Sequence, residues 1–364
     1  MLIQLSLQKK GAGVIDSFEL SSALVDLEIK HSVFLSRENE LADKWNKEES
    51  IYRSIVWCDT YKSTVGDFVK WTFLASRWFF VIRQINYLKA KNIVATHFHP
   101  WLFFVVLAKR IIGFNFIYVV HENPFLPKER DNYIMVFLQK FILKHADKII
   151  VHSEFMKKNL QEFFPEDRVK HLPLGSYQFY NRRTPIKYPP AGVTFLFLGR
   201  IEKYKGLEVL LEAFTGVKKQ FSDAKLIVAG QGNINTEQIK AMNTLGVEIY
   251  NQWLTDEQIM NFLNKADVMV LPYTKASQSG VVSMSLGFGL PIIVSSLTGL
   301  AEQVIEGDNG LLAKPGDGDS LLEKMVYLCA NPSRIEEMGK RAKFYGDNVF
   351  TWKKVAEGLV EFMS

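Results

Sequence analysis

The stretch Thr194-Phe-Leu-Phe-Leu-Gly-Arg-Ile-Glu-Lys-Tyr-Lys-Gly-Leu207 decides the fold class of this chain. Thr194–Leu198 is a short apolar strand that runs directly into Gly199-Arg200. Beyond Lys205-Gly206 the apolar spacing changes, and Leu207, Leu210, Leu211, Phe214, Val217 and Phe221 fall on one face of a helix. Strands alternating with helices imply a parallel sheet covered on both faces, as in a Rossmann-like α/β domain. The same turn also reads as an anion site. A glycine lets backbone approach a ligand, a helix N-terminus offers free N–H groups, and Arg200 and Lys205 add two directed charges. A solvated basic loop is the competing reading of this motif taken alone.

Working outward, further strands are predicted at 225–229, 247–250, 268–271 and 292–295, with a helix at 257–265 between two of them. The first half repeats the scheme less regularly, with strands at 3–7, 33–35, 93–96, 116–120 and 148–151. Between the halves, residues 180–192 carry three prolines and a closing glycine, which break any regular element. The predicted organisation is therefore an N-terminal Rossmann-like domain over 1–179, a linker over 180–192 and a second Rossmann-like domain over 193–345. A final helix occupies 346–364. At 364 residues the chain exceeds what one ordinary core supports, in keeping with two domains. Two such domains facing one another make a cleft at the carboxyl ends of their strands the expected ligand site.

Composition narrows the class. With 48% apolar and 23% charged residues the chain is of globular type. The two cysteines, Cys58 and Cys329, have no Cys or His at metal-ligand spacing, which argues against a disulfide scaffold or zinc ribbon and fits a reducing cytoplasm. The N-terminus reads as a first strand rather than a signal peptide, and no uncharged apolar run approaches the roughly 18 residues of a membrane span.

Residues 1–180 hold 24 Lys and Arg against 19 Asp and Glu, whereas 181–364 hold 20 of each, so the excess positive charge sits in the first half. Within it, residues 62–110 carry eight basic residues and one acid, Asp67, interleaved with Trp71, Phe73, Trp78, Phe79, Phe80 and Trp101. That pattern fits either an anionic lipid surface or an aromatic core face with a solvated rim. Nothing in it points to a nucleic-acid partner.

A second signal is Leu271-Pro-Tyr-Thr-Lys-Ala-Ser-Gln-Ser-Gly280, where a strand gives way to the small polar loop Ser277-Gln278-Ser279-Gly280 ahead of an apolar helix. Such a loop caps a helix and can also hold an anion there. The motifs taken in order resemble family 4 glycosyltransferases of the GT-B fold. They comprise Gly-Arg-x4-Lys-Gly, Leu226-Ile-Val-Ala-Gly-Gln-Gly232, Ala266-Asp267-Val-Met-Val-Leu-Pro272, the Ser-Gly loop, Gly289-Leu-Pro-Ile-Ile, Gly299-Leu-Ala-Glu302 and Asn309-Gly-Leu-Leu. The first half is similar more weakly, through Gly11-Ala-Gly13, Val119-Val-His121-Glu-Asn and His152-Ser-Glu154, and the ending Phe350-Thr-Trp352 resembles members whose last helix returns to the N-terminal domain.

The resemblance implies transfer, with retention of configuration and without a metal, from a UDP- or GDP-linked sugar to a glycan or lipid-linked acceptor. It implies that Arg200 and Lys205 hold the diphosphate and offset the charge that builds there as the glycosidic bond breaks. It places Ser279 and Gly280 on the distal phosphate, with Gly199, Gly230, Ser277, Val281 and Ser285 completing the donor site. Gly13 faces the phosphates from the N-terminal domain, and His121 lies beside the reacting sugar, although a histidine after a strand is also an ordinary structural residue. The acceptor is expected on the N-terminal domain, in bacterial lipopolysaccharide or capsule synthesis, with the protein peripheral at the inner membrane face.

One departure stands out. Family members carry Glu-x7-Glu across the second motif, and the two positions fall here near Ala276 or Ser277 and on Met284. Ribose anchoring then passes to Ser283 or Ser285. A sugar-nucleotide epimerase or phosphorylase of the same fold, and a catalytically inactive homologue acting as a binding partner, stay open as alternatives. Asp317-Gly-Asp319 reads as a helix cap rather than a metal motif. Gly11-Ala-Gly13 lacks the third glycine of a dinucleotide loop. His97-Phe-His99 shows no third ligand in the sequence, so it reads as lining or core.

Overall fold

In both halves of the chain short apolar runs are buried on both faces, as parallel strands under helices must be. The computed structural model describes residues 1–60, 76–121, 124–125, 133–180 and 192–363. In the first half β1 (Leu2–Ser6), β2 (His31–Ser36), β3 (Arg53–Cys58), β4 (Asn92–Ala95), β5 (Asn115–Val120), β6 (Lys148–Val151) and β7 (Val169–His171) form one sheet. Its order is β3-β2-β1-β4-β5-β6-β7. In the second half β8 (Thr194–Leu198), β9 (Lys225–Ala229), β10 (Glu248–Tyr250), β11 (Val268–Leu271), β12 (Ile292–Ser295) and β13 (Gly310–Ala313) form another, ordered β10-β9-β8-β11-β12-β13. The pairings are parallel throughout.

The strands missing from the sequence prediction are β3, β7 and β13, and each is an edge strand. An edge strand is buried on fewer sides, so its sequence need not be a continuous apolar run: β3 opens with Arg53-Ser54, β7 is three residues long, and β13 begins with a glycine.

Two compact units result, Met1–Pro173 with Trp352–Ser364 and Leu174–Thr351. The first boundary falls earlier than the predicted 179. The Ser176 N–H donates to the Phe350 carbonyl at 2.7 Å, its hydroxyl to the Gly346 carbonyl at 2.6 Å, and the Tyr177 N–H to the Ser283 carbonyl at 3.2 Å, which ties this segment to the second unit. Residues 181–191 of the predicted linker lie outside the described residues. The predicted start of the last segment at 346 is also displaced, because the helix Pro332–Asn348 continues through it; the helix Trp352–Met363 is the part that clusters with the first unit.

Each unit has its own core. Ile3, Phe34, Ile93, Phe116 and Ile149 are fully buried in the first, and Phe195, Phe197, Leu210, Phe214 and Ile293 in the second. Each contributes about 1.5–3 kcal/mol of burial relative to exposure. The helix Leu207–Gln220 buries Leu207, Leu210, Leu211, Phe214 and Val217, the face read from the sequence. Asp317 caps the helix Gly318–Ala330 by accepting from the Ser320 N–H at 2.9 Å, as predicted.

The order of each sheet reverses beside its first strand, between β1 and β4 in one and between β8 and β11 in the other. Connections leaving neighbouring strands in opposite directions open a crevice at their carboxyl ends, which is where open α/β sheets bind ligands.

Candidate active site

In the second unit that crevice lies where β8 ends at Gly199 and β11 ends before Pro272. Gly199 sits at φ 118°, and a side chain on it would stand 3.7 Å from Val281 Cγ2, so the β8 turn and the start of the helix Gly280–Phe288 face each other. Ser279 is the N-cap of that helix and accepts from the Val281 N–H at 3.2 Å. The capped helix start thus lies beside the turn that leads into Arg200 and Lys205.

Lys205 lies against two tyrosines at this crevice. Its Nζ donates to the Tyr273 hydroxyl at 2.6 Å, lies 3.9 Å from the Tyr273 ring centroid and 5.4 Å from that of Tyr204. Burial, with the nearby Arg200 charge adding to it, pulls the Lys205 pKa down to about 8. Tyr273 is 1% exposed and its hydroxyl pKa is raised by burial, so it stays protonated and reaches the Ser279 hydroxyl at 3.5 Å. A chain of polar groups thus links the Lys205 loop to the Ser279 cap. Tyr273 was not picked out from the sequence; its only signal is its place just beyond the end of β11, 68 residues from Lys205. Arg200 differs in kind: its side chain is 66% exposed and pairs with Glu202 at 3.1 Å. Lys205 is held in place by Tyr273, whereas Arg200 reaches toward solvent.

In the first unit the crevice gathers histidines. His97 follows β4, His121 follows β5 and His152 follows β6, and adjacent parallel strands bring them side by side. The His97 and His121 rings stack at 3.9 Å between centroids and 14° between planes, and His152 lies 5.2 Å from His121. Asp16, from the helix Ala12–Asp26, places Oδ2 3.4 Å from His97 Nε2. His121 Nε2 meets the Thr96 carbonyl at 2.8 Å and His152 Nδ1 meets the Leu172 carbonyl at 2.8 Å, so those nitrogens carry the protons. Burial holds the rings neutral, with pKa values lowered to about 3 for His97 and His121 and about 4 for His152.

Several predicted donor residues turn out to be spent on structure. The Ser285 hydroxyl donates to the Leu290 carbonyl at 2.8 Å in a fully buried position, and Ser283 is also fully buried, so neither presents a hydroxyl to a ribose. A Cβ on Gly230 would come within 1.9 Å of the Gly199 carbonyl, so this glycine allows two backbones to meet rather than a ligand to approach. A Cβ on Gly13 would strike His97 Nε2 and Gln8 Oε1, each at 2.3 Å, so the space before Gly13 belongs to these side chains. Gly299 lets the Ser277 backbone pass close, its carbonyl 2.0 Å from where a Gly299 Cβ would stand, while Ser277 itself is half-buried. His99 points elsewhere and accepts the Trp101 N–H at 3.2 Å.

Residues 192–331 match the family model described as Glycosyl transferases group 1, and residues 17–175 match Glycosyltransferase Family 4. The chain belongs to this glycosyltransferase family. An uncharacterised glycosyltransferase of Methanocaldococcus jannaschii is 28% identical over 60% of this chain and 60% of that protein. The lipopolysaccharide 1,2-N-acetylglucosaminetransferase of Salmonella typhimurium is 26% identical over 59% and 61%. The match thus spans about 60% of the length of these two curated relatives. Among solved structures, Anabaena HepE in complex with UDP and glucose is similar at a TM-score of 0.75, with 16% identity over 99% of this chain and 98% of that one. Sucrose-phosphate synthase of Thermosynechococcus elongatus is similar at 0.76, with 18% identity over 99% and 97%. The fold of this glycosyltransferase is accordingly GT-B, two Rossmann-like α/β domains. Met284, to which the family resemblance assigned the second carboxylate position, is 7% exposed and lies within the helix Gly280–Phe288.

Proposed function

We propose that this glycosyltransferase moves a sugar from a nucleotide diphosphate sugar, UDP- or GDP-linked, to a glycan or lipid-linked acceptor, with retention of anomeric configuration. Lys205 carries the proposal: a mostly buried ammonium fixed between two tyrosine rings at a sheet switch point, beside a capped helix start. As the bond from the anomeric carbon to the diphosphate oxygen breaks, charge collects on the diphosphate. Lys205, Arg200 and the amides at Ser279 and Gly280 offset it, which is leaving-group catalysis by fixed charges rather than by a metal ion. The acceptor oxygen bonds to the same face of the sugar, and its proton passes to the departing diphosphate. His121 is assigned to the sugar by the family resemblance.

The test is a thermal-shift series over UDP-, GDP- and other nucleotide sugars, because a ligand that binds only the folded state stabilises it by about 2.7 kcal/mol at a hundredfold excess over Kd. One series is expected to raise Tm, Lys205→Ala is expected to abolish the rise and Arg200→Ala to reduce it. An unchanged rise in both variants overturns the diphosphate assignment.

A surface lipid or cell-envelope acceptor is the finer part of the proposal. Relatives include the Salmonella lipopolysaccharide enzyme and the Staphylococcus aureus capsular polysaccharide glycosyltransferase CapM. The described part of the basic and aromatic stretch divides between the two sequence readings; residues 61–75 lie outside it. Trp101 is buried and Trp78 stacks on Phe104 at 4.3 Å, whereas Phe79, Phe80, Tyr87, Leu107 and Ile111 are exposed on the helices Ser76–Tyr87 and Leu102–Ile112. The same helices carry Arg77, Arg83, Lys109 and Arg110. No helix among the described residues is long and apolar enough to cross a membrane. Exposed aromatics among basic side chains favour an anionic lipid surface, about 1 kcal/mol for each charge near it. Co-sedimentation with phosphatidylserine vesicles is expected at low salt and lost at high salt; no binding at low salt removes the membrane claim.

A further inference from the structure

We propose that Tyr273 is a positioning residue of the transfer reaction: its neutral hydroxyl holds the Lys205 ammonium at the crevice of the second unit without cancelling the charge that a diphosphate needs. The inference rests on the diphosphate role proposed for Lys205 above and adds the residue through which that lysine is placed.

Tyr273 is fixed from both sides by the loop that carries Lys205. Just before it, the Pro272 carbonyl lies 1.9 Å from where a Gly206 Cβ would stand, so backbone meets backbone there. Just after it, the Thr274 N–H donates to the Tyr204 carbonyl at 2.8 Å. The ring between these two ties is 1% exposed and meets the Tyr204 ring edge-on, with 6.2 Å between centroids. A side chain so enclosed has no room to swing away, and the acceptor it offers to Lys205 is fixed with it.

The choice of side chain matters to the charge. Lys205 Nζ donates to the Tyr273 hydroxyl at 2.6 Å and stands 3.9 Å from the ring centroid. A carboxylate in that place would hold the lysine as firmly, but the ion pair would offset the positive charge. A phenylalanine would keep the attraction between ring and cation yet leave the buried ammonium without this acceptor, which favours the neutral amine. The phenol avoids both outcomes, because it is a neutral acceptor that takes one of the three N–H groups an ammonium carries. Burial raises the Tyr273 pKa, so the hydroxyl stays neutral beside the cation. Glu202, the acid that acts on Lys205, pairs with Arg200 at 3.1 Å. On its other side the Tyr273 hydroxyl faces that of Ser279 at 3.5 Å, the cap of the helix Gly280–Phe288, so the phenol is oriented from both ends.

The test uses the full chain and inorganic pyrophosphate, titrated by calorimetry from about pH 6 to pH 9. Each variant is compared with the parent at the same pH, so that the titration of pyrophosphate itself cancels. The parent is expected to lose affinity as pH rises through the Lys205 midpoint near 8. In Tyr273→Phe the ammonium loses one charge-assisted hydrogen bond, so the midpoint is expected about one pH unit lower and the affinity at pH 8 about five- to tenfold weaker, with the gap narrowing toward acid. A tyrosine that only fills space would weaken binding equally at every pH and leave the midpoint in place. The midpoint is also read without ligand, from the side-chain lysine NMR signal that Lys205→Met removes. Tyr273→Met, an adaptable apolar side chain, makes the same test where the phenylalanine variant does not fold. A Lys205 midpoint in the folded variants equal to that of the parent overturns the positioning role. Pyrophosphate binding equal in the parent and in Lys205→Met overturns the diphosphate reading instead, and the ligand-free midpoint keeps the two failures distinguishable.

Discussion

Lys205→Met is expected to lower kcat/KM for the donor by about 10²- to 10³-fold, the usual cost of removing one fixed charge-stabilising donor from a leaving group. Methionine keeps the stem between Tyr204 and Tyr273 and removes only the ammonium. Arg200→Ala is expected to cost less, because an arginine side chain 66% exposed and paired with Glu202 is screened by water and must be reoriented to act. The two cations should therefore separate in magnitude, and equal losses, or none at Lys205, contradict the assignment.

The pH dependence has a definite sign. Binding of an anionic diphosphate needs Lys205 protonated, and in the free protein this group titrates near 8. Donor affinity is then expected to weaken by about fivefold from pH 8 to pH 9, where an ordinary lysine would show no change. In Lys205→Met that dependence disappears. Stability moves the opposite way. A folded pKa of about 8 against the ordinary 10.5 means that the unfolded chain holds more protons between these values. Stability therefore rises with pH across that window, and the penalty for burying the ammonium is fully present below it. The ligand-free Lys205→Met protein is accordingly expected to melt higher than the parent at pH 7 while binding donor worse, a pairing of effects that a simple loss of folding cannot produce.

Gly206→Ala is expected to destabilise the fold by about 3 kcal/mol or more, measured by urea unfolding. Gly206 sits at φ 73°, and a Cβ there would come within 1.9 Å of the Pro272 carbonyl. That atom is backbone at the end of β11, so no side-chain rotation relieves the contact. Gly246 provides the control: its φ is 67°, yet nothing lies within 4 Å of a Cβ added to it. Gly246→Ala should cost only the left-handed backbone term, about 1–2 kcal/mol. The difference between the two variants isolates the close approach of the two loops. That approach is also what positions the site, since the Thr274 N–H donates to the Tyr204 carbonyl at 2.8 Å beside Lys205. Gly206→Ala should therefore weaken donor binding in whatever fraction remains folded.

The contrast between what the residues announced and what folding added follows one physical line. Strands β8, β9, β11 and β12 were legible because a central parallel strand is buried on both faces and must be apolar along its length. The helix Leu207–Gln220 was legible because its buried face repeats with the helical period. The basic loop proposed to hold the diphosphate could be read from the chain because Gly199, Arg200, Lys205 and Gly206 are close neighbours in sequence and their chemistry is local. Edge strands β3, β7 and β13 escaped because weaker burial puts weaker demands on their residues.

Only tertiary structure could join Tyr273 to Lys205, or bring Asp16, His97, His121 and His152 to one cavity, because strand ends distant in sequence become neighbours when sheet order is set by long crossovers. It also decided which hydroxyls were available: Ser285 looked like a donor ligand until its bond to the Leu290 carbonyl showed it committed to the helix end. The sequence by itself thus determined the family, the sheet type and the charged loop, all set by local pattern. Packing decided which of those groups are held, buried or free to bind, because burial and hydrogen-bond partners come from residues far away along the chain.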